Sequence, residues 1–300
     1  MSEIPDEIRK DLGKARRLEW WTLFWMSTVC VLMWFVAGSS QAMKTALIED
    51  VLSLVPAIVF LIAVHFEGKE PSKAFPYGFH RVGSLASMIA AVALVTVGAV
   101  LLLESLMTLI KQEHATIPPV HLFGREIWLG WVMVAALVYS VIPPIILGRA
   151  KLPIARRLED ETLDTDAKMQ KADWQTGVAG IAGIIGLGMG YWWADATAAA
   201  IISFSILKDG ISSVRVATAE LVDGMPRALG STKMAPEAEQ LRAILKKRYP
   251  GADVCLRETG RYIHAQLSGV EPESELDLKE LWPGDPAKAW RLRQVSFVPK

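Results

Sequence analysis

Residues 82–110 read VGSLASMIAAVALVTVGAVLLLESLMTLI, a stretch in which Glu104 is the single charged side chain. A helix needs about 20 consecutive apolar residues to cross a bilayer, so this segment is long enough. Of the 300 residues, 52% are hydrophobic, and the mean hydropathy is +0.29. Six windows approach or meet the required length, so the sequence predicts six membrane-spanning helices, at residues 20–37, 43–66, 82–110, 127–147, 174–193 and 194–211.

The distribution of lysine and arginine predicts the orientation. The first 17 residues are charged and lack a small-residue cleavage site, so they indicate a lead-in to a retained helix. The positive-inside rule places both termini in the cytoplasm, and we expect a multi-pass protein of the cell (inner) membrane. The basic residues behind this orientation are Arg9, Lys10, Lys14, Arg16 and Arg17 at the N-terminus, Lys69, Lys73 and Arg81 in the second loop, and Arg149, Lys151, Arg156, Arg157, Lys168 and Lys171 in the fourth.

Composition argues against several other classes of protein. Lys+Arg 32 balance Asp+Glu 32 without a clustered basic stripe, so we expect the lipid bilayer and no nucleic acid as a partner. Cys30 and Cys255 lie near opposite ends of the chain and imply neither a disulfide framework nor a thiolate cluster. We expect neither an enzyme nor a resident cofactor.

Past residue 215 the hydropathy falls to that of a small soluble domain. Helical spacing predicts a helix over 236–249, and alternation on both sides of Thr259, Gly260 and Arg261 predicts a β-hairpin, followed by a short helix and a third strand. The predicted fold class is a membrane all-α six-helix bundle followed by a small cytoplasmic α+β domain of order αββαβ, like a metallochaperone. The predicted boundaries are a cytoplasmic segment at 1–19, a transmembrane domain at 20–215 and a C-terminal domain at 216–300, which includes a linker at 216–233.

Two acids beside or inside the apolar windows are the candidate functional residues. A charge at membrane depth costs on the order of 2.5 to 3.5 kcal/mol, so Asp50 and Asp173 should face a protein interior or a water-filled path. Asp166, Met169 or Gln170, and Asp173 share one helix face by their spacing. Carboxylates from facing helices can hold a divalent cation through oxygen. On spacing alone, they are equally consistent with helix-end charges or with partners of Lys168 and Lys171.

Small residues on the fifth window predict a close helix contact. Small side chains allow helix backbones to approach, so this face should lie against a neighbour inside the bundle, with helices two and five adjacent. The glycines are Gly177, Gly180, Gly183, Gly186 and Gly190.

Three segments carry a resemblance to a known family. They are FPYGFHRVGSLASMIAAVAL at 75–94, WWADATAAAIISFSILKDGI at 192–211 and AELVDGMP at 219–226. In combination with the helix count, the sequence resembles the cation diffusion facilitators. The resemblance implies a homodimeric exporter of divalent metal that uses the proton gradient.

The resemblance also implies a transport site made of two residues one turn apart on helix two and two on helix five. Asp50 and Asp173 match two of these positions, whereas the other two fall on Leu54 and Met169. Leucine cannot bind a cation, and methionine is a soft, neutral ligand, so the usual tetrahedral zinc site is in question. Met169 can ligate directly and favour a softer metal, or oxygen ligands can replace the lost pair and suit Mn²⁺ or Fe²⁺. The candidates for such replacement are Glu49, Ser53, Asp166 and Gln170.

The histidines predict no further metal site. Phe75 and Phe79 stand in the second loop where an accessory site would need histidine, so His80 is interpreted as a hydrogen-bonding or headgroup-level residue and His264 as an ordinary strand residue. Two functions of different class follow. One is a secondary transporter exporting a divalent cation, such as Mn²⁺, Fe²⁺ or Zn²⁺, by proton antiport. The alternative is a non-transporting, membrane-embedded metal-binding protein or scaffold or regulatory partner of the same fold.

Overall fold

The computed structural model describes residues 5–37, 50–112, 119–122, 125–191, 193–273 and 276–298. The membrane part of this described chain is built from long helices. Three of its helical segments are long and apolar enough to cross a membrane: Asp50–Glu67, Arg81–Lys111 and Val134–Leu158. The helices are α1 (Asp6–Ala37), α2 (Asp50–Glu67, regular over Val55–Glu67), α3 (Arg81–Lys111), α4 (Leu129–Leu158), α5 (Glu161–Gly188) and α6 (Ala194–Leu221).

Two glycines bring the backbones of α3 and α6 close together. A methyl group added to Gly98 would lie 2.8 Å from the backbone nitrogen of Leu207, and one added to Gly210 would lie 2.9 Å from that of Val95. Contacts this short exclude any side chain larger than hydrogen without a backbone shift. These two glycines therefore fix how α3 and α6 pack together.

The glycine face of α5 packs against α4, as the small-residue spacing predicted. A methyl group on Gly177 would collide with Val141, and one on Gly180 would lie 3.3 Å from Leu137. Nearer the C-terminal end of α4, Gly148 leaves room for Gln170 of α5. The two helices run antiparallel, and α5 also contacts α2 and α3.

The helices extend further than the apolar windows. The predicted fourth loop is wrong, because α4 continues to Leu158 and α5 begins at Glu161, so its basic residues lie on helices. The predicted fourth window began at residue 127, but Arg125–Trp128 is a strand, β2, which pairs antiparallel with β1 (Pro119–Leu122). Hydropathy marks the apolar part of a helix and misses its polar ends.

The C-terminal domain has the predicted order αββαβ. It contains α7 (Pro236–Arg248), β3 (Asp253–Thr259), β4 (Tyr262–Ser268), α8 (Leu278–Leu281), a 3₁₀ helix (Pro286–Arg291) and β5 (Leu292–Val298). The sheet order is β3-β4-β5, with β3 antiparallel and β5 parallel to β4. Buried apolar residues of α7 and the strands form its core, among them Leu241, Leu245, Ile263 and Leu267.

The β3–β4 turn ties this domain to the membrane helices. Arg261, 6% exposed, donates from Nε and Nη2 to Asp160 Oδ2 at 2.9 and 2.8 Å, and its Nη1 lies 3.1 Å from Glu67 Oε2. The amide of Gly260 donates to Glu220 Oε1 at 2.7 Å. The turn therefore contacts the C-terminal ends of α2 and α6 and the short connection between α4 and α5.

Candidate metal-binding site

The site begins with an irregular turn in α2. Residues 53 and 54 form a turn between the helical residues 50–52 and the regular helix from Val55. Pro56 has no N–H, so it cannot donate to the carbonyl of Leu52, and the helix cannot continue regularly through this point. The buried side chain of Ser53 lies on this turn and reaches α5.

Ser53 and Asp173 form the central contact. The hydroxyl of Ser53 donates to Asp173 Oδ1 at 2.7 Å, while Asp173 Oδ2 is buried without a hydrogen-bond partner. Asp50 lies one turn before Ser53, and its charge is near enough to interact with the Asp173 carboxyl. The structure thus brings Ser53 and Asp173 into contact and places Asp50 one turn away on the same helix.

Oxygen is the donor atom that this group offers. Two carboxylates and a hydroxyl are hard ligands, which suit Mg²⁺, Ca²⁺ or Mn²⁺ better than a soft metal. Among the described residues, no three His, Cys, Asp or Glu side chains converge as a complete ligand set. A cation at this point therefore needs water to complete its coordination.

Met169 lies in an apolar environment. It is fully buried and packs with Leu94, Val97 and Ile206 from α3 and α6, together with Ala93 and Ala172. Leu54, the other departure from the family pattern, is half-buried at the start of the regular helix. Met169 therefore contributes packing next to Asp173.

The remaining candidates from the sequence lie elsewhere. Asp166 is fully buried and pairs with Lys151 of α4, which also donates to Glu19 Oε2 of α1 at 2.8 Å. Glu49 is outside the described residues. Sequence reasoning missed Glu19 and Lys151, because one precedes the first apolar window and the other follows the fourth.

Two of the histidines, His80 and His264, contact the C-terminal domain or belong to it. The ring of His80 packs edge-on against Tyr262 of the C-terminal domain, with centroids 4.8 Å apart, so this residue belongs to the contact between the domains. His264 is half-buried on β4, opposite Arg257 of β3. Burial lowers the pKa of both imidazoles.

Comparison with known proteins agrees with this architecture. Residues 21–222 match the cation efflux transmembrane domain family. The manganese efflux system protein MneS of Bacillus subtilis is 20% identical over 242 residues, which cover 80% of this chain and 77% of that protein. An uncharacterized transporter of Methanocaldococcus jannaschii is 22% identical, covering 84% of this chain and 83% of its own. A probable cation efflux system protein of Mycobacterium tuberculosis is 24% identical, covering 82% and 68%.

The family match covers well over half of the chain, so the chain belongs to the cation efflux family, the cation diffusion facilitators. It is an integral membrane protein that exports metal cations, and it is a transporter rather than an enzyme. The resemblance found in the sequence is confirmed.

Proposed function

We propose that this protein exports a divalent cation from the cytoplasm through a site formed by Asp50, Ser53 and Asp173. The observation that carries the proposal is the contact between Ser53 and Asp173, 2.7 Å across the α2–α5 interface, beside an Asp173 oxygen that has no partner. A buried acceptor without a donor is costly, and a bound cation would satisfy it.

The cation that fits this donor set best is Mn²⁺. Carboxylate, hydroxyl and water oxygens suit Mn²⁺, whereas the tetrahedral zinc sites of proteins rely on histidine or cysteine ligands. The apolar packing of Met169 supports the same choice, because its thioether lies in a cluster with α3 and α6. A relative named for manganese efflux is in accord with this proposal.

Proton exchange and six membrane spans complete the proposal. The carboxylates of the site can take up protons when the cation leaves, which gives an antiporter without a titrating histidine. We place the protein in the cell (inner) membrane. Both termini lie in the cytoplasm in this proposal, because the basic residues predict that orientation. We also propose a homodimer held in part by the C-terminal domain, which the mass of the purified protein in detergent tests.

The test is Mn²⁺ flux into reconstituted vesicles with and without a pH gradient. Asp50→Asn and Asp173→Asn keep the size of the side chain and remove its charge, so each should abolish flux. Asp209→Asn is the matched control, since Asp209 lies on α6 outside the site and its contact with Lys171 is a half-exposed pair at 3.8 Å. Flux that survives both site substitutions would place the path elsewhere. Absence of divalent flux in the unmodified protein would favour the non-transporting alternative.

A further inference from the structure

A second polar cluster lies on α5 between the cytoplasm and the proposed site. The ammonium of Lys151 on α4 is fully buried between the carboxyl groups of Glu19 on α1 and Asp166 on α5. Asp166 precedes Asp173 by two turns, which is about 10 Å along the helix axis. The cluster therefore occupies the approach to the site rather than the site itself.

The cluster holds two carboxyl groups around one ammonium. Glu19 and Asp166 are the charged groups that act on Lys151, and they also hydrogen-bond to each other, so one of them carries a proton. Glu19 Oε1 and Asp166 Oδ1 are buried, and no other donor reaches either oxygen. A divalent cation between the two carboxylates would take the place of that proton.

Gln170 adds an independent observation. It is fully buried, and neither its amide oxygen nor its amide nitrogen has a hydrogen-bond partner. It lies one turn from Asp166 on the same face of α5, beside Gly148 of α4, which is itself one turn from Lys151. Its amide is therefore held next to the carboxylate cluster, where its oxygen is a further ligand for a hard cation.

We propose that Glu19, Asp166 and Gln170 form a second site for the divalent cation, on the cytoplasmic side of the Asp50, Ser53 and Asp173 site, and that the Lys151 ammonium fills it in this structure. The inference rests on the proposed function for the direction of transport. The ligand is a divalent cation that prefers oxygen, and Lys151 competes with it as a tethered cation. In this assignment Asp166 binds the cation before Asp173 does.

Mn²⁺ binding to the full chain in detergent, counted by electron paramagnetic resonance of free Mn²⁺, tests the assignment. Lys151→Met removes the competing ammonium, so this variant should bind a second Mn²⁺ that the unmodified protein does not. Asp173→Asn combined with Lys151→Met isolates the new site, and it should still bind Mn²⁺. Lys151→Arg keeps the positive charge and is the matched control, which should bind as the unmodified protein does.

A second variant covers the case in which Lys151→Met fails to fold. Lys151→Gln keeps a polar side chain of similar length and leaves Glu19, Asp166 and Gln170 in place. It should bind Mn²⁺ in the Asp173→Asn background, and adding Asp166→Asn should remove that binding. If neither Lys151→Met nor Lys151→Gln binds more Mn²⁺ than the matching protein that keeps Lys151, the cluster is a structural ion pair and the proposal is overturned. If these variants bind the additional Mn²⁺ but the unmodified protein transports none, the proposed function alone is contradicted.

Discussion

At the residue scale, the hydroxyl of Ser53 links the two helices that carry the acids. Its hydrogen bond to Asp173 orients one carboxylate oxygen and leaves the other without a hydrogen-bond partner. Groups that orient a metal ligand commonly change metal affinity by 10 to 100-fold when removed. A serine hydroxyl at this position therefore matters for affinity even where it is not itself a ligand.

Ser53→Ala should raise the Mn²⁺ concentration needed for half-maximal flux about tenfold or more, because the Asp173 carboxylate loses its orienting donor. Vesicle uptake over a range of Mn²⁺ concentrations measures this. Ser140→Ala is the control, since that hydroxyl donates to the Leu137 carbonyl of its own helix at 2.9 Å. Equal affinities in the two variants would contradict the role assigned to Ser53.

His264 gives a pH-dependent prediction for the C-terminal domain. Burial lowers the pKa of His264 below 6.5, and the positive charge of Arg257 lowers it further. As the pH falls through about 6.5, the unfolded chain takes up a proton that the folded domain does not, so the domain loses stability toward acid. The protection factors of the β4 amides, from which the intrinsic pH dependence of exchange is divided out, should therefore fall as the pH is lowered.

In His264→Gln this loss toward acid should be smaller, because glutamine does not titrate. The comparison is made on the full chain, with the intrinsic pH dependence of exchange subtracted from both proteins. The same acid-induced loss of protection in both proteins would assign the effect to another group.

Sequence could identify Asp50 and Asp173 because a charge next to an apolar window is costly wherever it lies. It could not pair Ser53 with Asp173, since spacing fixes which residues share a face of one helix and not what that face meets. Glu19 and Lys151 were missed for the same reason. Their partners lie on other helices, and each residue by itself resembles a solvated helix end.

At the element scale, α3 and α6 behave as one packed pair, since two glycines bring their backbones together. Gly98→Ala should lower the free energy of unfolding by about 1 to 3 kcal/mol, because the added methyl meets the Leu207 backbone at 2.8 Å. Thermal unfolding in detergent measures this change. Gly13→Ala is the control, since a methyl there would have nothing within 4 Å, and it should not destabilise.

The existence of the helices and the αββαβ order could be predicted from hydrophobic periodicity, which depends on local sequence. The ends of the helices could not. Polar residues such as Arg156 and Arg157 continue α4 past its apolar part, and hydropathy cannot distinguish a solvated helix end from a loop. The contact between α3 and α6 could likewise not be predicted, because a glycine in a membrane helix does not indicate which helix packs against it.

At the scale of the whole molecule, the C-terminal domain is docked through a turn that tolerates little change. Gly260 has φ +60°, and a methyl group there would lie 2.7 Å from the His80 carbonyl oxygen. Gly260→Ala should therefore displace the C-terminal domain from its docked position. The left-handed backbone of the alanine should also lower the free energy of unfolding by about 1 to 2 kcal/mol. Faster proteolysis between the domains measures the loss.

Gly251→Ala separates the two effects. Gly251 also has a positive φ, +90°, but a methyl there would meet nothing within 4 Å. This variant should carry the backbone strain without loosening the contact between the domains. Similar proteolysis of the two variants would show that strain alone, and not the collision with His80, accounts for the change.

The Arg261 side chain has a consequence for communication across the molecule. Its guanidinium joins Glu67, at the end of the helix that carries Ser53, to Asp160, immediately before the helix that carries Asp173. Separation of those two helices at this end must break one of these ion pairs. Under the proposed function, a molecule that alters the free energy of these ion pairs alters cation affinity, and the cation alters the affinity for that molecule by the same factor. The proposed function therefore makes the C-terminal domain a place from which cation binding at Asp50 and Asp173 can be regulated.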